Sequence, residues 1–102
     1  NGEVIRFKIK DKQNYKIPHM GWNQVTFVKD SKLMKQVPAD SEFYFVHSFH
    51  FETGDNSIVL NTTDYEYPFV SAVEKEHIFG VQYHPEKSHD VGEQLLKNFI
   101  SL

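Results

Sequence analysis

The chain opens on Val4-Ile5-Arg6-Phe7-Lys8-Ile9-Lys10, in which apolar and charged side chains take turns from Ile5 onward. Such a period of two predicts a half-buried strand over Val4 to Lys10. Asp11 to Lys16 is a polar loop, and Ile17-Pro18-His19-Met20-Gly21-Trp22-Asn23 is too punctuated by Pro and Gly for a regular element, so it reads as a shaped loop before a short strand from Gln24 to Lys29. Phe43 to Phe51 is almost entirely aromatic or β-branched, which predicts a central strand buried on both faces over its first half. Thr53-Gly54-Asp55-Asn56 is a turn signal, and Ser57 to Thr62 a return strand that would make a hairpin with it. Phe69 to Glu74 and Ile78 to Tyr83 form a second strand pair around Lys75-Glu76-His77, which brings the expected sheet to about six strands.

After Pro85 the period changes. Val91, Leu95, Phe99 and Leu102 fall at helical spacing, and Leu96 and Ile100 widen the stripe. Ser88 and Asp90, the latter followed by Glu93, are rival caps for this amphipathic helix. Gly92 costs it roughly 1 kcal/mol against Ala. A close backbone approach at that position would explain the glycine.

Composition narrows the classes. The 102 residues, 39% hydrophobic and 15% aromatic, suit one domain with a modest core. The net charge of −3 is scattered along the chain, which argues against nucleic acid as a partner. No apolar run approaches the roughly 20 residues of a bilayer span, so the reading is of a cytoplasmic protein without a membrane partner. Cysteine is absent, which removes disulfides, thiolate metal sites and a cysteine nucleophile from these residues. Asn1-Gly2 run into the first strand without an initiator methionine, and the expectation is a chain cut or processed upstream.

The segment that can carry chemistry is Gly80-Val81-Gln82-Tyr83-His84-Pro85-Glu86-Lys87-Ser88. A strand delivers His84, and Glu86 follows two residues later on the same side of an extended backbone. Pro85 fixes its own φ and keeps His84 extended. A carboxylate on one ring nitrogen sets the tautomer and stabilises the imidazolium, which frees the other nitrogen to take a proton from a nucleophile. By spacing alone, a solvated His and Glu at a strand end is the commoner arrangement. The six histidines raise the question of a metal, but His47 and His50, three apart on the strand expected there, would face opposite sides. No metal site or cofactor is expected.

GVQYHPEKS, Gly80 to Ser88, closely resembles the terminal signature of class I glutamine amidotransferases, whose His and Glu complete a triad with a cysteine on an earlier nucleophile elbow. Pro18-His19-Met20-Gly21-Trp22-Asn23 and Phe45-Val46-His47-Ser48 are similar, in order and spacing, to motifs of the glutaminase subunits of imidazole glycerol phosphate synthases. The resemblance implies an α/β fold, the second half of a three-layer domain, strand-rich with a C-terminal helix. Residues 1–102 would be the C-terminal part of one amidotransferase domain whose N-terminal part holds the nucleophile. It implies His84 as general base and Glu86 as its orienter, Ser48 and Phe49 as binding residues for L-glutamine, and Trp22 and Lys87 at the contact with a synthase or cyclase barrel subunit, where a cation-π pair is conceivable. Without that resemblance Trp22 reads as a packed aromatic, Lys87 as a solvated charge, Ser48 as a local hydrogen-bonder, Phe49 as core, and His19 as a loop-fixing side chain or a ligand contact. The expected activity is glutamine hydrolysis that feeds ammonia to a synthase, with this cysteine-free chain silent on its own. Two alternatives stand beside it: a paralogous glutaminase for surface-sugar amidation, and a non-catalytic scaffold that docks a partner.

Overall fold

The computed structural model describes residues 2–76 and 78–102; Asn1, at the chain start, and His77, in the charged turn, lie outside the described residues. Eight strands are described: β1 (Gly2–Arg6), β2 (His19–Gln24), β3 (Thr26–Phe27), β4 (Glu42–His47), β5 (Phe49–Thr53), β6 (Val59–Tyr65), β7 (Tyr67–Lys75) and β8 (Ile78–Val81). They precede one α-helix, α1 (His89–Ile100), so the class is the expected strand-rich α/β with a C-terminal helix. The larger sheet runs β1-β5-β7-β6-β3, with β8 on the same long strand β7, and β2 and β4 form a separate antiparallel pair.

The opening alternation sets the faces of this segment: in β1 Val4 is two-thirds exposed and Ile5 half-buried, and beyond the strand Phe7 and Ile9 continue the inward side and are buried. The ladder with β5 stops at Arg6, short of the expected Lys10, because the next amides find other acceptors. Phe7 N–H donates to Ser48 O (3.0 Å), Lys8 N–H to the Tyr67 hydroxyl (3.1 Å), and the amides of Lys10 and Asp11 to the Glu66 carboxylate (2.9 and 2.7 Å). Phe7 thereby sits at the centre of an aromatic cluster with Phe69, Tyr65 and three histidines.

Four expectations are corrected. The segment Ile17 to Asn23 contains a strand, β2, whose register against β4 pairs His19 with His47 and Trp22 with Tyr44; the partner strand holds Gly21 in place at φ 124°. The Phe43 to Phe51 run breaks at Ser48 into β4 and β5, which belong to different sheets, so there is no single central strand. Along β4, Phe43 and Phe45 are fully buried and their neighbours are not, so β4 is one-sided. Ser57 to Thr62 does not return on β5: Asn56–Ile58 is a 3-10 turn capped by Asp55, and β6 pairs with β7 and β3. Its true hairpin turns at Glu66, a left-handed residue (φ 68°) whose carboxylate is anchored on the two amides after β1. The strand expected from Gln24 to Lys29 shrinks to Thr26–Phe27.

The β7–β8 pair around the charged turn forms as predicted, with Lys75 opposite Ile78, but β8 ends at Val81, two residues short of the expected Tyr83. Helix α1 buries Leu95 and packs Val91 on the core, but Phe99 and Leu102 of the same stripe are more than half exposed.

Candidate active site

The segment that leads from β8 to His84 is fixed from beneath. Tyr83 is buried, its ring stacked on Phe43 (4.1 Å between centroids), and its hydroxyl accepts from Asn61 Nδ2 (3.1 Å). Asn61 Oδ1 accepts from Ser71 Oγ (2.7 Å), which accepts from Thr63 Oγ1 (2.9 Å), so the buried polar groups satisfy one another. Burial pushes the Tyr83 phenol well above its ordinary value, so it stays neutral.

His84 then leaves the sheet and is clamped to β4 through both backbone groups of Tyr44. His84 N–H donates to Tyr44 O (2.9 Å), Tyr44 N–H donates to Ser88 Oγ (3.0 Å), and Ser88 Oγ–H donates to His84 O (2.6 Å). Ser88 precedes α1, yet its hydroxyl serves this clamp and makes no helix-capping bond. Between them Pro85–Lys87 forms a 3-10 turn. Helix α1 lies directly on that turn: a Cβ on Gly92 would fall 1.9 Å from Pro85 O, which is the close approach that the glycine foretells.

Within this frame His84 Nδ1 lies 3.1 Å from Glu86 Oε2. The side chains are 36% and 61% exposed, so the pair opens to solvent. Its own backbone N–H first, and the His84 ring second, hold the Glu86 carboxyl below the usual carboxylate range. An ionised Glu86 makes Nδ1 the donor nitrogen of a neutral His84 and places the lone pair on Nε2.

Ser48 and Phe49 form the kink between β4 and β5. Both carbonyls are engaged, Ser48 O by the Phe7 amide and Phe49 O by His47 Nδ1 (2.9 Å). Phe49 is not core; its ring is half exposed, with the Arg6 guanidinium 5.9 Å from its centroid. Residues 2–102 match the family described as glutamine amidotransferase class-I. The chain belongs to that family.

Among its relatives is imidazole glycerol phosphate synthase subunit HisH 2 of Methanococcus maripaludis, 49% identical over 98% of the chain and 48% of that protein. The HisH subunit of Pelagibacter ubique is 46% identical over 93% of the chain and 46% of its own length. The chain thus spans about half the length of the curated relatives it matches. A solved structure described as a putative GMP synthase protein from Thermoplasma acidophilum superimposes with a TM-score of 0.76 at 17% identity, over 99% of the chain and 48% of its own, and so shares the fold.

In this amidotransferase chain Trp22, on β2, stacks face to face on His89 (5.4 Å, 10° between planes) and meets Tyr44 edge-on (5.9 Å). The stacking partner is therefore His89, a left-handed residue (φ 51°) at the start of α1 that the sequence does not single out; Lys87 lies two residues before it in the 3-10 turn. The break at Ser48 also corrects the expectation for His47 and His50. Both rings pack on Phe7, at 5.0 and 4.8 Å, instead of facing opposite sides. His50 Nε2 bonds to the Tyr67 hydroxyl (2.8 Å) and His47 Nε2 to His19 Nδ1 (2.8 Å). Among the described residues, no three His, Asp or Glu side chains gather as a metal-binding group, and no helix is long and apolar enough to cross a membrane.

Proposed function

We propose that this chain supplies the histidine and glutamate of a glutamine-hydrolysing triad, within a cytoplasmic glutaminase that passes ammonia to a synthase subunit in imidazole glycerol phosphate and histidine biosynthesis. The observation that carries the reading is the His84 Nδ1 to Glu86 Oε2 contact, seated in a GVQYHPEKS segment of a class I amidotransferase chain. The identity to HisH subunits supports the pathway.

In this reading the cysteine thiol belongs to the N-terminal half of the domain. His84 Nε2 takes the thiol proton as the sulfur attacks the side-chain amide carbon of glutamine. Glu86 stabilises the imidazolium on the opposite nitrogen. The imidazolium then protonates the leaving nitrogen, ammonia departs, and a γ-glutamyl thioester remains. Water, deprotonated by the same Nε2, attacks the thioester and the thiol recovers its proton, so glutamine and water become glutamate and ammonia. Ser48 and Phe49 line the glutamine site, and Trp22 with Lys87 and His89 faces the synthase barrel.

Glutamate release tests this on three samples: the chain alone, the chain joined to the N-terminal half of a HisH relative, and that fusion with its synthase subunit. The chain alone is expected to be silent, the fusion active and stimulated by the synthase, and His84→Ala in the fusion to lose about a thousandfold or more in kcat. Equal activity from the cysteine-free chain alone would sink the triad reading.

A further inference from the structure

His19 and His47 face each other across the β2–β4 pair as register partners, and their hydrogen bonds admit one consistent assignment. Gln24 N–H donates to Asn23 Oδ1 (2.8 Å), which fixes the orientation of the Asn23 amide. Asn23 Nδ2 donates to Asp64 O (2.9 Å) and to His19 Nε2 (3.1 Å). His19 Nε2 is therefore a lone pair, Nδ1 carries the proton, and that proton goes to His47 Nε2 at 2.8 Å. His47 Nε2 in turn is a lone pair, and its Nδ1–H donates to Phe49 O at 2.9 Å. A carbonyl closes the chain at each end, so both rings are neutral and both are Nδ1–H tautomers. Free neutral histidine favours the other form, so the structure imposes this one.

The rings are also held in packing. His19 is buried and sandwiched between Phe45 (4.8 Å) and Tyr65 (4.1 Å), and Phe7 stands edge-on to His47. We propose that His19 and His47 are positioning residues of the glutamine pocket: a relay of two neutral imidazoles that pins the Phe49 carbonyl, fixes the Ser48–Phe49 kink, and ties it to β2, the strand that presents Trp22. The proposal rests on the assignment of that kink to glutamine binding. Neither residue touches the reacting atoms; each acts through the backbone it holds. Burial, and for His19 the neighbouring His47, lowers the pKa of both rings, that of His19 to about 4. The titratable groups that face the pair are His50 on β5, His84 beyond β8 and Tyr65 on β6.

Two measurements test it. In the chain labelled with 15N-histidine, both residues are expected as Nδ1–H tautomers at pH 7, with His19 gaining its proton only near pH 4 and His47 below its ordinary value. Ordinary Nε2–H signals, or titration near 6.5, would overturn the relay without any variant having to fold. In the fusion with the N-terminal half of a HisH relative, His47→Leu is expected to raise KM for glutamine about fivefold with kcat changed by less than about twofold. His47→Asn, which keeps a donor near the Nδ1 position, is expected to restore KM. An active fusion whose KM ignores both substitutions would overturn the positioning role while the function stands. A fusion without glutaminase activity would overturn the function and the pocket role together, and the tautomers would still decide the relay.

Discussion

A histidine held neutral by its surroundings makes stability depend on pH in a predictable direction. The folded state lowers His19 from 6.5 to about 4, so the fold disfavours the proton that the unfolded chain accepts below about 6.5. The stabilisation is whole above 6.5 and is lost as pH falls toward 4, and His47 shifts in the same direction. Urea unfolding of the chain is expected to lose on the order of 2 kcal/mol between pH 6.5 and 4.5. His19→Phe keeps the stack between Phe45 and Tyr65 but strands the amide of Asn23, so that variant is expected to be less stable at pH 7 and flatter with pH. A wild-type midpoint that does not move over this range would contradict the neutral assignment. Glu86 offers a separate test at the same scale. In the fused enzyme Glu86→Gln keeps the size of the side chain but can present an amide N–H to Nδ1, which favours the wrong tautomer, and kcat is expected to fall by about a hundredfold to ten-thousandfold. An unchanged pH-rate profile and kcat would remove the orienter role. This pair was legible in the chain itself, because Pro85 restricts how His84 and Glu86 can be presented. The His19–His47 bond was not, since it depends on a strand register that brings residues 28 apart together.

Helix α1 sits against the turn that presents the pair, and one missing side chain allows it. Gly92→Ala places a methyl 1.9 Å from Pro85 O and 2.9 Å from Ser88 Cβ, in a space closed by backbone. Helix propensity returns roughly 1 kcal/mol to the alanine variant, and overpacking typically costs about 1–3 kcal/mol, more where backbone must move. The substitution is therefore expected to destabilise the chain by about 2 kcal/mol and, in the fusion, to lower kcat by shifting His84. Thermal melts and glutaminase rates of the variant check both; a gain in stability would mean that the helix does not lie on the turn. The sequence announced this contact because a helix-interior glycine needs a reason. It announced the β7–β8 hairpin through its charged turn, and α1 through its period. It concealed the break at Ser48, because the aromatic and β-branched run continues across it while the two strands are claimed by different sheets. The β6–β7 turn was hidden as well: Glu66 carries no turn signature, and what holds its left-handed backbone is a pair of amides from 55 and 56 residues away. Strand β2 escaped because Pro18 and Gly21 outweigh its short apolar content until β4 supplies the partner.

At the scale of the whole molecule, apolar side chains stand open where helix and sheet meet. Ile100 is 82% exposed at the end of α1, on the same helix as the exposed Leu96 and Phe99, and Phe99 stands edge-on to Phe79 of β8. A polar exterior would be expected if solvent were the only neighbour, and contiguous apolar patches commonly mark contact surfaces. The chain spans about half of each relative, and the proposed triad needs a nucleophile that these residues lack. Under the function proposed above, the occupant expected on this surface is the N-terminal half of the domain. Ile100→Lys probes the match, because at 82% exposure the substitution touches little in the chain itself, and a cation at a helix C-terminus is favourable by a few tenths of a kcal/mol. The variant chain alone is expected to unfold within about 0.5 kcal/mol of the parent and to bind less of a hydrophobic dye. Mixed with a separately expressed N-terminal half of a HisH relative, it is expected to recover glutaminase activity only at a concentration of that half roughly tenfold higher, since burying an unpaired ammonium costs well over 1 kcal/mol. Complementation curves that coincide for parent and variant would place the partner half on another face of the sheet.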